Sequence, residues 1–261
     1  MLFRIITYAV MGFLLLPLFA IVITSFTELS YVSFPPKGFT LKWYWDALHR
    51  PEFGASLLLS FWIAVVTAAF ATLLGTLVAV AIVRHRFVGR DLLNAFFMSP
   101  LILPTLVIGL ALLQYYSVVG VGTTAAGVVI GHIIITTPYA TRLIMASLIG
   151  VDTKIEWAAQ TLGASRVGAF IRVALPVIRE GMASGAVFTF IMSFENVTVS
   201  AFLSTPRMLT LPVRIFNYWD KVIEPWLIAI ASMVIIGTFV VLAIFNRVVS
   251  VRNLYGAEDQ R

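Results

Sequence analysis

A chain of 261 residues that is 60% hydrophobic and only 11% charged cannot cover itself with water-compatible surface, which excludes a soluble domain and leaves an integral membrane protein. The net charge of +6 sits on short segments between apolar runs, so it reads as a determinant of membrane topology rather than as a nucleic-acid surface. Cysteine is absent, which removes disulfide frameworks and thiolate metal sites.

The first apolar span is expected at residues 5–27, long enough for a ~30 Å hydrocarbon core. A cleaved signal peptide is the rival reading; the run exceeds a usual signal core and no small-x-small site follows, so a retained helix is expected. Residues 28–52 form a polar loop with Pro35, Pro36 and Pro51, in which Trp43, Tyr44 and Trp45 suit an interfacial aromatic belt. The second span, 54–83, carries Ala64, Ala68, Ala71, Gly75 and Ala79 at three- and four-residue steps, a stripe that permits close helix contact. Arg84, His85, Arg86 and Arg90 end it. The third span, 92–115, contains Pro100 and Pro104, a break tolerated in lipid only where other groups re-satisfy the backbone. Residues 117–124 read as a turn, and the fourth span, 125–141, carries His132 and Pro138. His132 is expected to hydrogen-bond between helices.

The longest polar interruption is Asp152 to Pro176, DTKIEWAAQTLGASRVGAFIRVALP. Thr153 and Glu156 have the spacing of a capping box. Ile155, Ala158, Ala159 and Leu162 then share one face of a short helix. Gly163 falls where a left-handed cap would end it. Ser165 starts a second amphipathic helix with Val167, Phe170, Ile171, Ala174 and Leu175 on its apolar face, suited to a protein partner or to lipid headgroups. Pro176 marks the next boundary. The fifth span, 181–203, opens with Gly181-x-x-x-Gly185, a helix-packing spacing. A polar loop at 204–225 holds Tyr218 and Trp219, and the sixth span, 226–246, precedes a charged tail.

With both termini cytoplasmic, the outer segments hold Lys37, Lys42, Arg50, Arg207, Arg214 and Lys221, and the inner ones hold the other twelve Lys and Arg, Arg252 and Arg261 among them. Twelve against six is the positive-inside asymmetry, and it places the 152–176 loop in the cytoplasm. No phosphate-binding Gly-x-x-x-x-Gly-Lys-Ser/Thr occurs, nor His-Glu-x-x-His or Gly-x-Ser-x-Gly, so catalysis by this chain is not expected. Glu195, about 15 residues into the fifth span, lies near the bilayer midplane. A carboxylate there is costly unless it faces a polar cavity or a structural partner, so Glu195 with Ser193, Asn196 and Thr198 is the candidate substrate path.

Ala158-Ala159, three residues, Gly163, nine residues, Val173, one residue, Leu175-Pro176 resembles the Glu-Ala-Ala (EAA) loop of ABC-importer permeases. Trp157 stands where that family usually has the glutamate, with Glu156 just before it. The runs Ser193-Phe-Glu-Asn-Val-Thr-Val-Ser-Ala-Phe-Leu-Ser and Leu211-Pro-Val-Arg-Ile look like the spermidine/putrescine branch, in which paired acids often stand where this chain has Glu195-Asn196. The resemblance implies an all-α polytopic membrane protein of the type I importer kind, a single permease domain over residues 1–261. It has six transmembrane helices, a periplasmic loop at 28–52 and a cytoplasmic coupling loop at 152–176. It further implies that Glu156, Trp157, Ala158, Ala159, Gly163, Phe170, Leu175 and Pro176 couple to a separate ABC ATPase dimer, Glu156 being open to capping alone. ATP and Mg would be held on that ATPase and no cofactor on this chain. A second, different permease subunit and a periplasmic binding protein complete the expected assembly in a bacterial inner membrane. The solute would be a polyamine or related small cation, with phosphonate or iron as alternatives. A secondary transporter is the rival of another class, but it would carry coupling acids or inverted repeats.

Overall fold

The computed structural model describes residues 2–120, 123–219 and 224–258. Lys221 and Arg261 lie outside the described residues, as do parts of the turn read at 117–124 and of the loop read at 204–225, and the side chains of the charged tail, Arg252 included, are not described. The described chain is helical throughout, with a single isolated bridge between Thr205 and Met208 as its β-type pairing. Among the described residues five helices are long and apolar enough to cross a membrane, and the count is six if a bent helix pair is taken as one span. It is an all-α polytopic membrane protein.

The chain divides into two compact units. The first comprises residues 1–57 and 214–261. Here α1 (Leu2–Thr24) and α2 (Lys42–Leu48) both pack on α12 (Pro225–Glu258). Of the three aromatic residues read at 43–45, Trp45 is exposed while Trp43 and Tyr44 are half-buried. Trp43 Nε1 instead donates to the Thr27 carbonyl at 2.8 Å, and the Tyr44 hydroxyl bonds Ser25 and, at 3.0 Å, Ser232 of α12. Buried indole and phenol groups find polar partners, which is why these two turn inward. Tyr218 likewise packs with Phe53 and Trp226, whose ring carries the Arg50 guanidinium at 4.0 Å.

The second unit, residues 58–213, holds most of α3 (Pro51–Arg84) and everything up to the start of α11 (Leu211–Trp219). The expected third span is not one straight helix. α4 (Arg90–Met98), with a tight turn over Ser99–Leu101, meets α5 (Thr105–Val119) at a bend of 101°. Pro104 has no N–H to give and excludes Leu103 from helical angles, so α5 must restart there, with Val107 and Ile108 donating to the Pro104 carbonyl. α6 (Ala125–Ile149) outruns its expected end at 141, capped by Thr124, whose Oγ1 accepts from Gly127 N at 3.1 Å. The fifth span also differs: α9 (Leu175–Phe194) stops, the backbone is unwound at Glu195–Val197, and α10 (Thr198–Leu203) follows.

Small residues decide where helices meet. Ala64, Ala68, Ala71, Gly75 and Ala79 are all buried, as the stripe on α3 predicts. Gly181 and Gly185 of α9 lie against Ser147 and Ala140 of α6, so this spacing does serve helix packing. The tolerance is uneven. A Cβ on Gly75 would stand 2.9 Å from both the Ala140 Cβ and the Thr141 amide nitrogen, whereas one on Gly185 would stand 3.4 Å from the Ala140 Cα. Gly75→Ala should therefore destabilise the purified protein by about 1–3 kcal/mol through overpacking. Gly185→Ala should stay within about 1 kcal/mol of wild type, since helix propensity offsets a modest contact. Thermal unfolding in detergent measures both, and equal losses would mean the two glycines are equivalent.

Candidate functional site

The 152–176 loop is ordered by its own chemistry. α7 (Thr153–Thr161) is capped not by the expected Thr153–Glu156 box but by Asp152, whose Oδ1 accepts from Lys154 N at 2.9 Å. Thr153 lies inside the helix, and Glu156 is engaged elsewhere. Gly163 has φ +95° and ends α7 as expected: its N–H reaches the Gln160 carbonyl at 3.0 Å and the Ala164 N–H reaches that of Ala159 at 3.1 Å. These two bonds are the paired closure of a left-handed helix cap. Ser165 caps the next helix through Gly168 N at 3.0 Å, so α8 (Arg166–Ala169) starts where the sequence places it. It does not end at Pro176. A π turn over Phe170–Ala174 leads straight into α9, with Leu175 at φ −59° and ψ −43°. A widened turn moves the carbonyl four residues back off the proline ring, so Pro176 enters the first turn without breaking the helix.

This loop presents apolar side chains outward. Leu162 is 89% exposed, Val167 67% and Trp157 63%, and Ile155 and Ile171 are also exposed. Ala158, Gly163 and Pro176 are exposed beside them, and Ala159 is half-buried. Phe170 and Leu175, expected to contact a partner, turn inward instead. They pack on a cluster of Ala79, Ala140, Ile144, Leu148, Val151 and Ile178. Glu156 faces inward too: its Oε1 lies 2.7 Å from Arg84 Nη2 at the end of α3, and both side chains are largely buried. Arg84 Nη1 also donates to the Val151 carbonyl at 3.2 Å. Losing one member of so buried a pair costs about 3–5 kcal/mol. Sequence reading took Arg84 for a topological charge; its partner is distant in the chain and no local spacing announces it.

The candidate substrate path divides in the same way. Ser193 is buried, its Oγ 2.7 Å from His132 Nδ1, while His132 Nε2 lies 3.0 Å from Ser200 Oγ. His132 thus joins α6 to α9 and α10, as expected of a helix-bridging histidine, and Ser193 serves that bond rather than an open path. Ser200 was not singled out, because a serine in an apolar run carries no signal until its neighbour is known. Asn196 Oδ1 accepts from Val199 N at 2.9 Å and Ser200 N at 3.3 Å, capping α10. Thr198 is half-buried, and Glu195 is exposed at the C-terminal end of α9, without an ion-pair partner among the described residues. A cavity of about 530 Å³ lies at the α4–α5 bend, lined by Phe96, Phe97, Leu103, Ile108 and Ile133 among others. Its walls are mostly apolar, with Ser99, Tyr115 and Thr137 as their hydroxyl-bearing side chains and no charged group, so they offer a charged solute little to replace water.

Residues 71–252 match the family described as binding-protein-dependent transport system inner membrane component. The chain is 28% identical to the spermidine/putrescine transport system permease protein PotC of Haemophilus influenzae, covering 94% of this chain and 95% of the relative. It is 30% identical to the putrescine transport system permease protein PotI of Escherichia coli, covering 85% and 82%. In fold it resembles a chain of the bacterial alginate ABC transporter in complex with an alginate pentasaccharide-bound periplasmic protein, with TM-score 0.69, 14% identity and coverage of 94% and 92%.

Because a Cβ on Gly163 would meet nothing within 4 Å, substitution there tests backbone conformation alone. Gly163→Ala should cost the loop about 1–2 kcal/mol, and Gly163→Asn less, since asparagine tolerates the left-handed region. Hydrogen exchange at the Gly163 and Ala164 amides should quicken in that order; equal protection in all three proteins would contradict the cap.

Proposed function

The chain belongs to the family of binding-protein-dependent transport system inner membrane components, and from that premise we propose that its 152–176 loop seats a separate ATPase on the cytoplasmic face. As a member, it is a membrane-spanning permease of an ABC importer and not an enzyme. The docking reading is carried by one observation: a loop capped at Asp152, Gly163 and Ser165 holds Trp157, Leu162 and Val167 outward. A backbone already ordered by its caps loses little further entropy when a partner covers the apolar side chains it carries, which favours tight docking. Residues 1–261 act as a single permease domain with both termini cytoplasmic, paired with a second and different permease subunit in the inner membrane. Two ATPase copies bind ATP and Mg, and solute arrives from a periplasmic binding protein; the alginate transporter's complex with such a protein supports that last step.

For the solute, a polyamine or related small cation is the better reading. The two relatives above carry spermidine or putrescine in their descriptions. Glu195 adds a carboxylate to the C-terminal end of α9, where the helix dipole is already negative, so two effects favour a cation at one point. One observation weakens a dication: Asn196 stands beside Glu195 where paired acids are usual in the spermidine/putrescine branch, and it spends its oxygen on α10, which keeps another solute such as phosphonate or iron as the second reading.

Val167→Glu places an exposed charge on the docking face away from the capping residues Asp152, Leu162, Gly163 and Ser165, and should weaken co-purification of the ATPase about tenfold or more. Undiminished binding would sink the docking reading. Glu195→Gln should lower uptake of a cationic solute by about tenfold, the loss of roughly one charge-assisted contact, measured in proteoliposomes containing the whole transporter; unchanged uptake would remove Glu195 from the path.

A further inference from the structure

We propose that Arg84 is the positioning residue that fixes the docking loop to α3, so that displacement of the loop moves that membrane helix; this rests on the reading of the loop as the ATPase seat. Arg84 is the last residue of α3, and its side chain is only 10% exposed. One arm of its guanidinium meets the Glu156 carboxylate at 2.7 Å, within α7, and the other donates to the Val151 carbonyl at 3.2 Å, in the turn that leads out of α6. A single side chain therefore holds the loop on both sides of the Asp152 cap. Below it, Ala79, Val80 and Val83 of α3 pack in the same cluster as Leu148, Val151, Phe170 and Leu175. Apolar contact is non-directional, whereas a buried ion pair to Glu156 beside a hydrogen bond to Val151, both from one guanidinium, ties the loop to a single point of α3. α9 receives loop motion through the covalent chain. α3 has no such connection to α7, and the Arg84 fork supplies it.

Geometry sets what a substitution does. Lysine keeps the charge but offers one compact ammonium, which cannot span Glu156 and Val151 in the fork's fixed plane. The role is one of transmission, so the decisive quantity is solute moved per ATP hydrolysed and not either rate alone. In proteoliposomes holding the complete transporter, Arg84→Lys and Glu156→Gln should each lower that ratio about tenfold, in keeping with coupling energies of residues in contact. The charge exchange Arg84→Glu with Glu156→Arg should raise the ratio above either single variant. An unchanged ratio in the single variants, including a parallel fall in hydrolysis and uptake, would overturn the proposal. So would a charge exchange no better than the worse single variant. Cross-linking of Trp157→Cys to the ATPase, run on the same preparations, separates the two readings: absent in the otherwise wild-type protein, it overturns the docking reading and this one with it; present beside an unchanged ratio, it overturns only the role of Arg84.

Discussion

Hydrocarbon offers a peptide group no hydrogen-bond partner, and this chain leaves the helical path twice within its apolar stretches. Each departure has to be satisfied from inside. At the α9–α10 break, Asn196 takes up the amides of Val199 and Ser200, while His132 bonds Ser193 before the break and Ser200 after it. At the α4–α5 bend, the Pro104 carbonyl accepts from Val107 and Ile108 and so starts the new helix. The two breaks differ in what they leave over. The bend borders a mostly apolar, open cavity, whereas the α9–α10 break leaves an exposed carboxylate at Glu195.

What was legible in the sequence was local. The small-residue stripe on α3, the glycine pair of α9, the Gly163 cap and the Ser165 start depend on residues within a turn or two of one another, and each forms as its spacing predicts. Proline was legible as a perturbation but not in its outcome. Pro104 turns the chain by a large angle, while Pro176, with the same missing donor, is absorbed by a widened turn. The difference lies in the preceding backbone, which a residue name does not encode.

Polar partners far apart in the chain were the least legible part. Thr153 and Glu156 have capping-box spacing, yet Asp152 takes the cap and Arg84 takes the glutamate. Burial explains the choice. A guanidinium placed at the edge of the Ile144–Leu148–Ile178 cluster needs an anion more than an exposed amide needs a cap that aspartate already supplies. Ser193 repeats the lesson, since its hydroxyl is drawn to a buried imidazole instead of facing a path. Candidate site residues chosen by polarity thus separate into those that build the frame and those left free, and Glu195 and Trp157 are among the latter.

The frame also explains why a loop outside the apolar core could matter to a carboxylate within it. α9 begins under the docking loop, runs against α6 through Gly181 and Gly185, and ends at Glu195. A Cβ on Gly181 would overlap Ser147, whereas one on Gly185 would make ordinary contact with Ala140 at 3.4 Å, so the interface is tightest at its Gly181 end. Close-packed interfaces move as bodies or exchange one arrangement for another; they do not compress. On the docking reading proposed above, a push on α7 and α8 would enter α9 through the continuous chain at Phe170–Leu175, and the His132 bonds to Ser193 and Ser200 tie α9 and α10 to α6. Glu195 lies between those two serines in sequence, so a displacement of α9 would carry its carboxylate along with the tied α6–α9–α10 group.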